Sequence, residues 1–188
     1  MDIYFIRHPR TEAPEGVCYG ATDVLPAAGE LEKVVSSIHT KMSIPDDAVL
    51  ISSPLSRCTL LASAFANGRA IRTDARIAEL DFGQWEMKAW TAIPQHEMEQ
   101  WTCDFVNNAP KGGESFATML ERVRDFWEEI LLAGEETKVV FTHSGVLRAL
   151  MVILLEASPY KVFNAEVEYG DIMRVKVQSS DFFKLRIL

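Results

Sequence analysis

Three short runs, Ile3–Ile6, Val49–Ile51 and Val139–Phe141, are apolar at every position. A strand with one face in water alternates apolar and polar residues, so an unbroken apolar strand has to be covered on both faces. Between the runs the period changes to that of a helix. Leu31, Val34, Val35 and Ile38 fall at i, i+3, i+4 and i+7. A longer stripe, Phe116, Leu120, Val123, Trp127, Ile130 and Leu131, opens after Gly112-Gly113-Glu114-Ser115 and closes near Gly134. Leu147, Leu150, Met151 and Leu154 make a third. Buried strands alternating with amphipathic helices predict an α/β fold, a three-layer sandwich with a mainly parallel central sheet flanked by helices.

The C-terminal stretch has period two. Met173, Val175 and Val177 alternate with Arg174, Lys176 and Gln178, and Phe183, Leu185 and Ile187 alternate with Lys184 and Arg186. Half-buried strands of this kind, preceded by a turn at Tyr169-Gly170-Asp171, predict an antiparallel hairpin at one sheet edge. The region from Glu79 to Gly113 is less periodic and carries Trp85, Trp90 and Trp101; it is expected to be a helical insertion over one end of the sheet.

With 188 residues, 48% hydrophobic and 24% charged, disorder is excluded, and residues 1–188 read as one domain. The formal net charge of −8 argues against a nucleic-acid or anionic-membrane partner, which would need a broad basic face. Three widely spaced cysteines without a CxxC pair suggest neither a disulfide framework nor a zinc knuckle. The start, MDIYFIRHPRTE, lacks the form of a signal peptide, and the longest apolar run, Val146–Leu155, is interrupted by Arg148. A soluble cytoplasmic protein, monomer or homodimer, is expected.

Ligands of open α/β sheets bind beyond the carboxyl ends of the strands. Arg7 and His8 follow the first run, Ser52–Arg57 follows the second, and His143-Ser144-Gly145 follows the third. Two imidazoles and two guanidiniums on one sheet edge suit a phosphoryl group, because a guanidinium fork matches phosphate oxygens. Other patterns carry less. His96-Glu97-Met98-Glu99-Gln100 misses the second ligand of a zinc HExxH, Ser144 lacks a GxSxG elbow, and there is no GxxxxGK[ST] phosphate loop. Neither a metal nor a cofactor is expected.

These residues resemble the signatures of the histidine phosphatase (phosphoglycerate mutase-like) superfamily. Arg7-His8-Pro9-Arg10-Thr11 is similar to RHGxT, Ser52–Cys58 to the SSPLxR segment, Glu79–Glu86 to ExxxGxWE, and Thr142–Gly145 to the second histidine motif. Within the superfamily, Gly16-Val17-Cys18-Tyr19-Gly20-Ala21-Thr22-Asp23 resembles the GxCYGxxD stretch of bacterial α-ribazole phosphatases. The resemblance implies that His8 is a nucleophile, that Arg7, Arg57 and His143 bind phosphoryl oxygens, and that Glu79, rather than its neighbours Asp81 or Glu86, is the general acid and base. Thr11, Cys18, Tyr19, Ser144 and Glu114 are candidates for substrate binding. The substrate it implies is a small phosphorylated metabolite, α-ribazole 5′-phosphate first; phosphoglycerate, a sugar phosphate or a phosphohistidine protein are alternatives. A non-catalytic phospholigand-binding module is the alternative from another class. Two positions depart from the pattern: Pro9 stands where glycine is usual, removing a backbone N–H, and Pro14 stands where asparagine is usual.

Overall fold

In the computed structural model, which describes residues 1–134, 136–179 and 182–188, six strands form one sheet. They are β1 (Asp2–Arg7), β2 (Val49–Ser52), β3 (Ile71–Thr73), β4 (Lys138–Thr142), β5 (Ile172–Ser179) and β6 (Phe182–Ile187). Their order is β3-β2-β4-β1-β5-β6. The first four run parallel, and β5 and β6 are antiparallel additions at the β1 side. The three apolar runs are thus the adjacent central strands β2, β4 and β1. The expected edge strands are β5 and β6, although the turn joining them lies outside the described residues.

Alternation along the strands divides the core into two layers. Ile3, Phe5, Ile51 and Val140 pack with α4 (Phe116–Leu132) and α5 (Ser144–Leu155). Ile6, Leu50, Val139 and Phe141 pack on the other face with α1 (Glu30–Lys41) and α2 (Ser56–Ser63). The apolar stripes read in the sequence are these helix faces, with Val34 and Ile38 buried in α1 and Val123, Trp127 and Ile130 in α4. A short strand, β3, and a one-turn helix, α6 (Pro159–Val162), were not anticipated; neither is long enough to show a period.

The segment from Glu79 to Gly113 contains only one α-helix, α3 (Gln95–Cys103); the rest is short 3-10 turns and loop. It closes on its own small cluster of Cys18, Trp85 and Ile93. Its loops reach the carboxyl ends of the parallel strands, the face on which a ligand was expected. His96 and Glu97 lie on α3, where Glu97 accepts the indole N–H of Trp85 at 2.7 Å.

Helix α4 starts where the sequence says it should. Ser115 is its N-cap, extended at φ −84 and ψ 161, and its hydroxyl accepts the Thr118 N–H at 3.2 Å. Removing that cap leaves an orphaned backbone donor on one of the two helices that cover this face of the sheet. Ser115→Ala is therefore expected to cost about 1 kcal/mol. Urea unfolding should show a lower midpoint with an unchanged slope.

Candidate active site

Parallel pairing of β1 with β4 puts Arg7 opposite Thr142, so the next residue of each strand, His8 and His143, emerges at the same place. The two rings lie edge to face with centroids 5.0 Å apart. His8 Nδ1 is 2.7 Å from the carbonyl of Pro9. A carbonyl only accepts, so Nδ1 carries the proton and Nε2 keeps its lone pair. Pro9 thus removes an N–H from the loop but holds in place, through its fixed φ, the acceptor that sets the tautomer.

His143 is fully buried, with both nitrogens engaged. Arg57 Nε donates to Nδ1 at 3.3 Å, which leaves Nε2 as the protonated atom, 2.8 Å from Ser53 Oγ. The sequence suggested direct phosphoryl contact by His143; in this arrangement such a contact requires Nε2 to leave Ser53. Burial and the nearby Arg57 charge hold both histidines well below the usual imidazole range, with the Pro9 bond opposing this for His8 and the two rings' mutual repulsion adding to it for His143.

Around His8 lies a cavity of about 300 Å³. Arg57, at the N-terminal end of α2, reaches it fully buried; its Nη1 donates to Thr22 O at 2.9 Å and its Nη2 to Gly20 O. Arg7 lies 3.9 Å over the ring of Tyr169, donates Nη1 to Val167 O, and leaves its buried Nε without a partner. Arg148, on α5, also lines the cavity with its Nε buried and unpartnered; only its Nη2 is bonded, to Ala165 O at 3.2 Å. Among the described residues none of these three arginines forms an ion pair with a carboxylate. In a chain of net charge −8, this is a local surplus of positive charge, one guanidinium fully buried and two partly so.

Among the described residues, Glu79 is the one carboxylate that lines the cavity. It occupies the N-terminus of α5, accepting from Gly145 N at 3.2 Å and Ser144 Oγ at 3.3 Å, and its other oxygen accepts from Leu80 N at 3.0 Å. A side chain here would displace the carboxylate, because a Cβ at position 145 would stand 2.1 Å from Glu79 Oε1. The backbone carrying Glu79 is clamped by Arg122, which donates to the carbonyls of Arg76, Ala78 and Glu79.

Several candidates lie elsewhere. Glu114, expected at the substrate, is ion-paired with Arg122 and also accepts from Asp81 N; it supports the clamp. Cys18 is buried between Trp85 and Ile93, away from the cavity, and burial with the charge of Glu86 pushes its thiol up to about 12. Thr11 is buried in a backbone bridge with Pro26. Asp81 accepts from Gly83 N within a turn. Of the GxCYGxxD stretch only Val17 and Tyr19 line the cavity. Gly20 lies against Leu80, whose carbonyl a Cβ would meet at 1.8 Å, and Asp23 accepts from the N–H and hydroxyl of Ser56 on α2. The motif's glycine and aspartate thus serve loop packing. Sequence reading missed Ser53, Arg148 and Tyr169. Arg148 was legible as the residue one helical turn beyond Ser144, on the same helix face; Tyr169 became relevant only once the turn before β5 was bonded to Arg7.

A family model described as the histidine phosphatase superfamily (branch 1) matches residues 3–187. The chain belongs to that superfamily. It is 28% identical to phosphoserine phosphatase 1 of Hydrogenobacter thermophilus over all of this chain and 92% of that protein. A bifunctional protein of Mycobacterium tuberculosis is 28% identical over 66% of this chain, and the match spans only 36% of that relative. The fold matches the crystal structure of an α-ribazole phosphatase from Shigella flexneri with a TM-score of 0.86, covering all of this chain and 96% of that one at 24% identity. No helix of the described residues is long and apolar enough to cross a membrane.

Two outcomes follow from this geometry. Because the folded protein keeps His8 and His143 neutral while the unfolded chain protonates them near pH 6.5, the unfolded state binds more protons below that pH. Stability should be full above pH 6.5 and fall below it, by up to about 1.4 kcal/mol per histidine per pH unit, and His8→Asn should flatten the dependence measured by urea unfolding. Gly145→Ala should displace the Glu79 carboxylate and lower kcat/KM on a phosphomonoester by about 10²-fold.

Proposed function

We propose that the chain is a phosphomonoesterase acting on a small phosphorylated metabolite through a phosphohistidine on His8. The observation that carries this reading is the orientation of His8, whose Nε2 is left free by the Pro9 bond in the cavity shared with Arg7, Arg57 and Glu79. In the first half-reaction Nε2 attacks phosphorus, the P–O ester bond breaks, and Glu79 gives a proton to the departing oxygen. In the second, water attacks phosphorus, Glu79 takes its proton, and the N–P bond breaks to release inorganic phosphate. Arg7 and Arg57 stabilise the charge on the phosphoryl oxygens. His143 assists by accepting from Arg57 Nε and fixing the guanidinium plane. A binding-only module would have no use for both a freed nucleophile and a seated carboxylate.

For the alcohol half of the ester, α-ribazole 5′-phosphate is the first reading. The resemblance of Gly16–Asp23 supports it, as does the aromatic lining of the cavity by Tyr19, Phe82, Trp90, Phe116 and Phe163, which suits a flat leaving group. A specific observation favours a second reading, a leaving group with its own carboxylate. Phosphate calls on two guanidiniums, and Arg148 is a third in the same cavity with no carboxylate partner among the described residues.

Rapid quench with labelled substrate should trap an acid-labile, base-stable adduct on His8, and His8→Ala should abolish turnover. An adduct on another residue overturns the assignment. On the first substrate reading, kcat/KM for α-ribazole 5′-phosphate exceeds that for 3-phosphoglycerate, and Tyr19→Ala narrows the gap. The reverse order, lost in Arg148→Gln, establishes the second.

A further inference from the structure

Glu86 was a competitor for the role of general acid, yet its carboxylate is wholly occupied by other donors. It accepts from the backbone N–H groups of Gly20 at 3.0 Å, Ala21 at 2.9 Å and Thr22 at 3.2 Å. The Thr22 hydroxyl adds a bond of 2.6 Å, and the N–H of Phe82 another of 3.0 Å. Burial works against the ionised carboxyl, and the bonds from Thr22, Gly20, Phe82 and Ala21 outweigh it, so the group is held below its ordinary range.

Two of the same three residues present their carbonyls to Arg57. Gly20 O and Thr22 O are the acceptors of Arg57 Nη2 and Nη1. In a trans peptide the N–H and C=O point in opposite directions. The Gly20–Ala21 peptide therefore spans the distance from Glu86 to Arg57, its N–H on the carboxylate and its C=O on the guanidinium. Each bond polarises the peptide in the sense that strengthens the other. The loop has little freedom to drift, since Gly20 lies against the Leu80 carbonyl and Asp23 is tied to Ser56, the residue before Arg57.

We propose that Glu86 is a positioning residue for phosphoryl binding, which aims the Arg57 guanidinium through the Gly20–Thr22 backbone without touching substrate. This inference rests on the reading that Arg57 binds the phosphoryl group. Without the carboxylate, four backbone donors lose their acceptor, and the two carbonyls that fix the fork of Arg57 are free to rotate away. The effect should fall on the phosphate end of any substrate, whatever its leaving group.

The test is a double-mutant cycle on the full chain with p-nitrophenyl phosphate, together with competitive inhibition by inorganic phosphate. Glu86→Gln should lower kcat/KM at least about tenfold and weaken phosphate inhibition by a similar factor. Arg57→Lys, which loses the planar fork, should also lose at least about tenfold. If Glu86 acts through Arg57, the double variant should fall within about threefold of Arg57→Lys alone. Fully multiplicative losses would overturn the positioning role and leave the phosphatase reading in place. Near-wild-type kinetics in Arg57→Lys would instead remove the phosphoryl role of Arg57, and with it this inference. Thr22→Val removes one of the five bonds and guards against a Glu86→Gln protein that does not fold. It should cost about two- to threefold in the parent and nothing in the Arg57→Lys background, and an equal cost in both overturns the proposal.

Discussion

A guanidinium that is fully buried without a carboxylate beside it is the constraint to which the rest of the site conforms. Removing an ion from water costs several kcal/mol even after the protein relaxes. Arg57 meets that cost with neutral acceptors only: two carbonyls of the first loop and the lone pair of His143 Nδ1. Neutral acceptors satisfy the donors and leave the charge uncancelled. The field of Arg57 then does two things at once. Added to burial, the larger cause, it keeps both imidazoles unprotonated, so that His8 Nε2 retains its lone pair and His143 Nδ1 can accept, and it leaves the cavity short of negative charge until an anion arrives.

The fold makes this possible by convergence of strand ends. Parallel β1 and β4 deliver the two histidines side by side, and the helix following β4 offers its exposed N–H groups to Glu79. Glu79 comes from a loop with no regular structure and so needs external support. Arg122 on α4 supplies it by gathering the carbonyls of Arg76, Ala78 and Glu79, and Glu114 holds Arg122. Loop precision is thus borrowed from the longest helix, itself set by the Ser115 cap.

Much of this was legible in the chain. Uniformly apolar runs can only be doubly covered strands, so β1, β2 and β4 were visible, and so were the residues at their ends: His8, Arg57 and His143. Helices α1, α4 and α5 were long enough for their period to show. What was not legible depends on side chains meeting across the sequence. Glu114 looks like a rim acid until Arg122, eight residues on, turns out to hold it. Cys18 sits in a loop motif that reads as a wall of the cleft, but the Trp85 cluster draws it inward. Arg148, though one helical turn beyond Ser144 and so within reach of the sequence, reads first as a break in an apolar run. The resemblance set Glu79 apart from Glu86, but what Glu86 holds shows only in the loop at Gly20–Thr22.

The Gly20–Ala21 peptide also bears on how such a site yields to dissection. Its contribution is made by main-chain atoms, and the methyl group of Ala21 takes no part in it. A scan that exchanges side chains one by one would find position 21 permissive and pass over it. Replacing the amide with an ester, which deletes the N–H and weakens the carbonyl while keeping the shape, would reach it. The hold on Arg57 is in this respect written partly in the backbone, beyond the reach of a side-chain exchange at position 21.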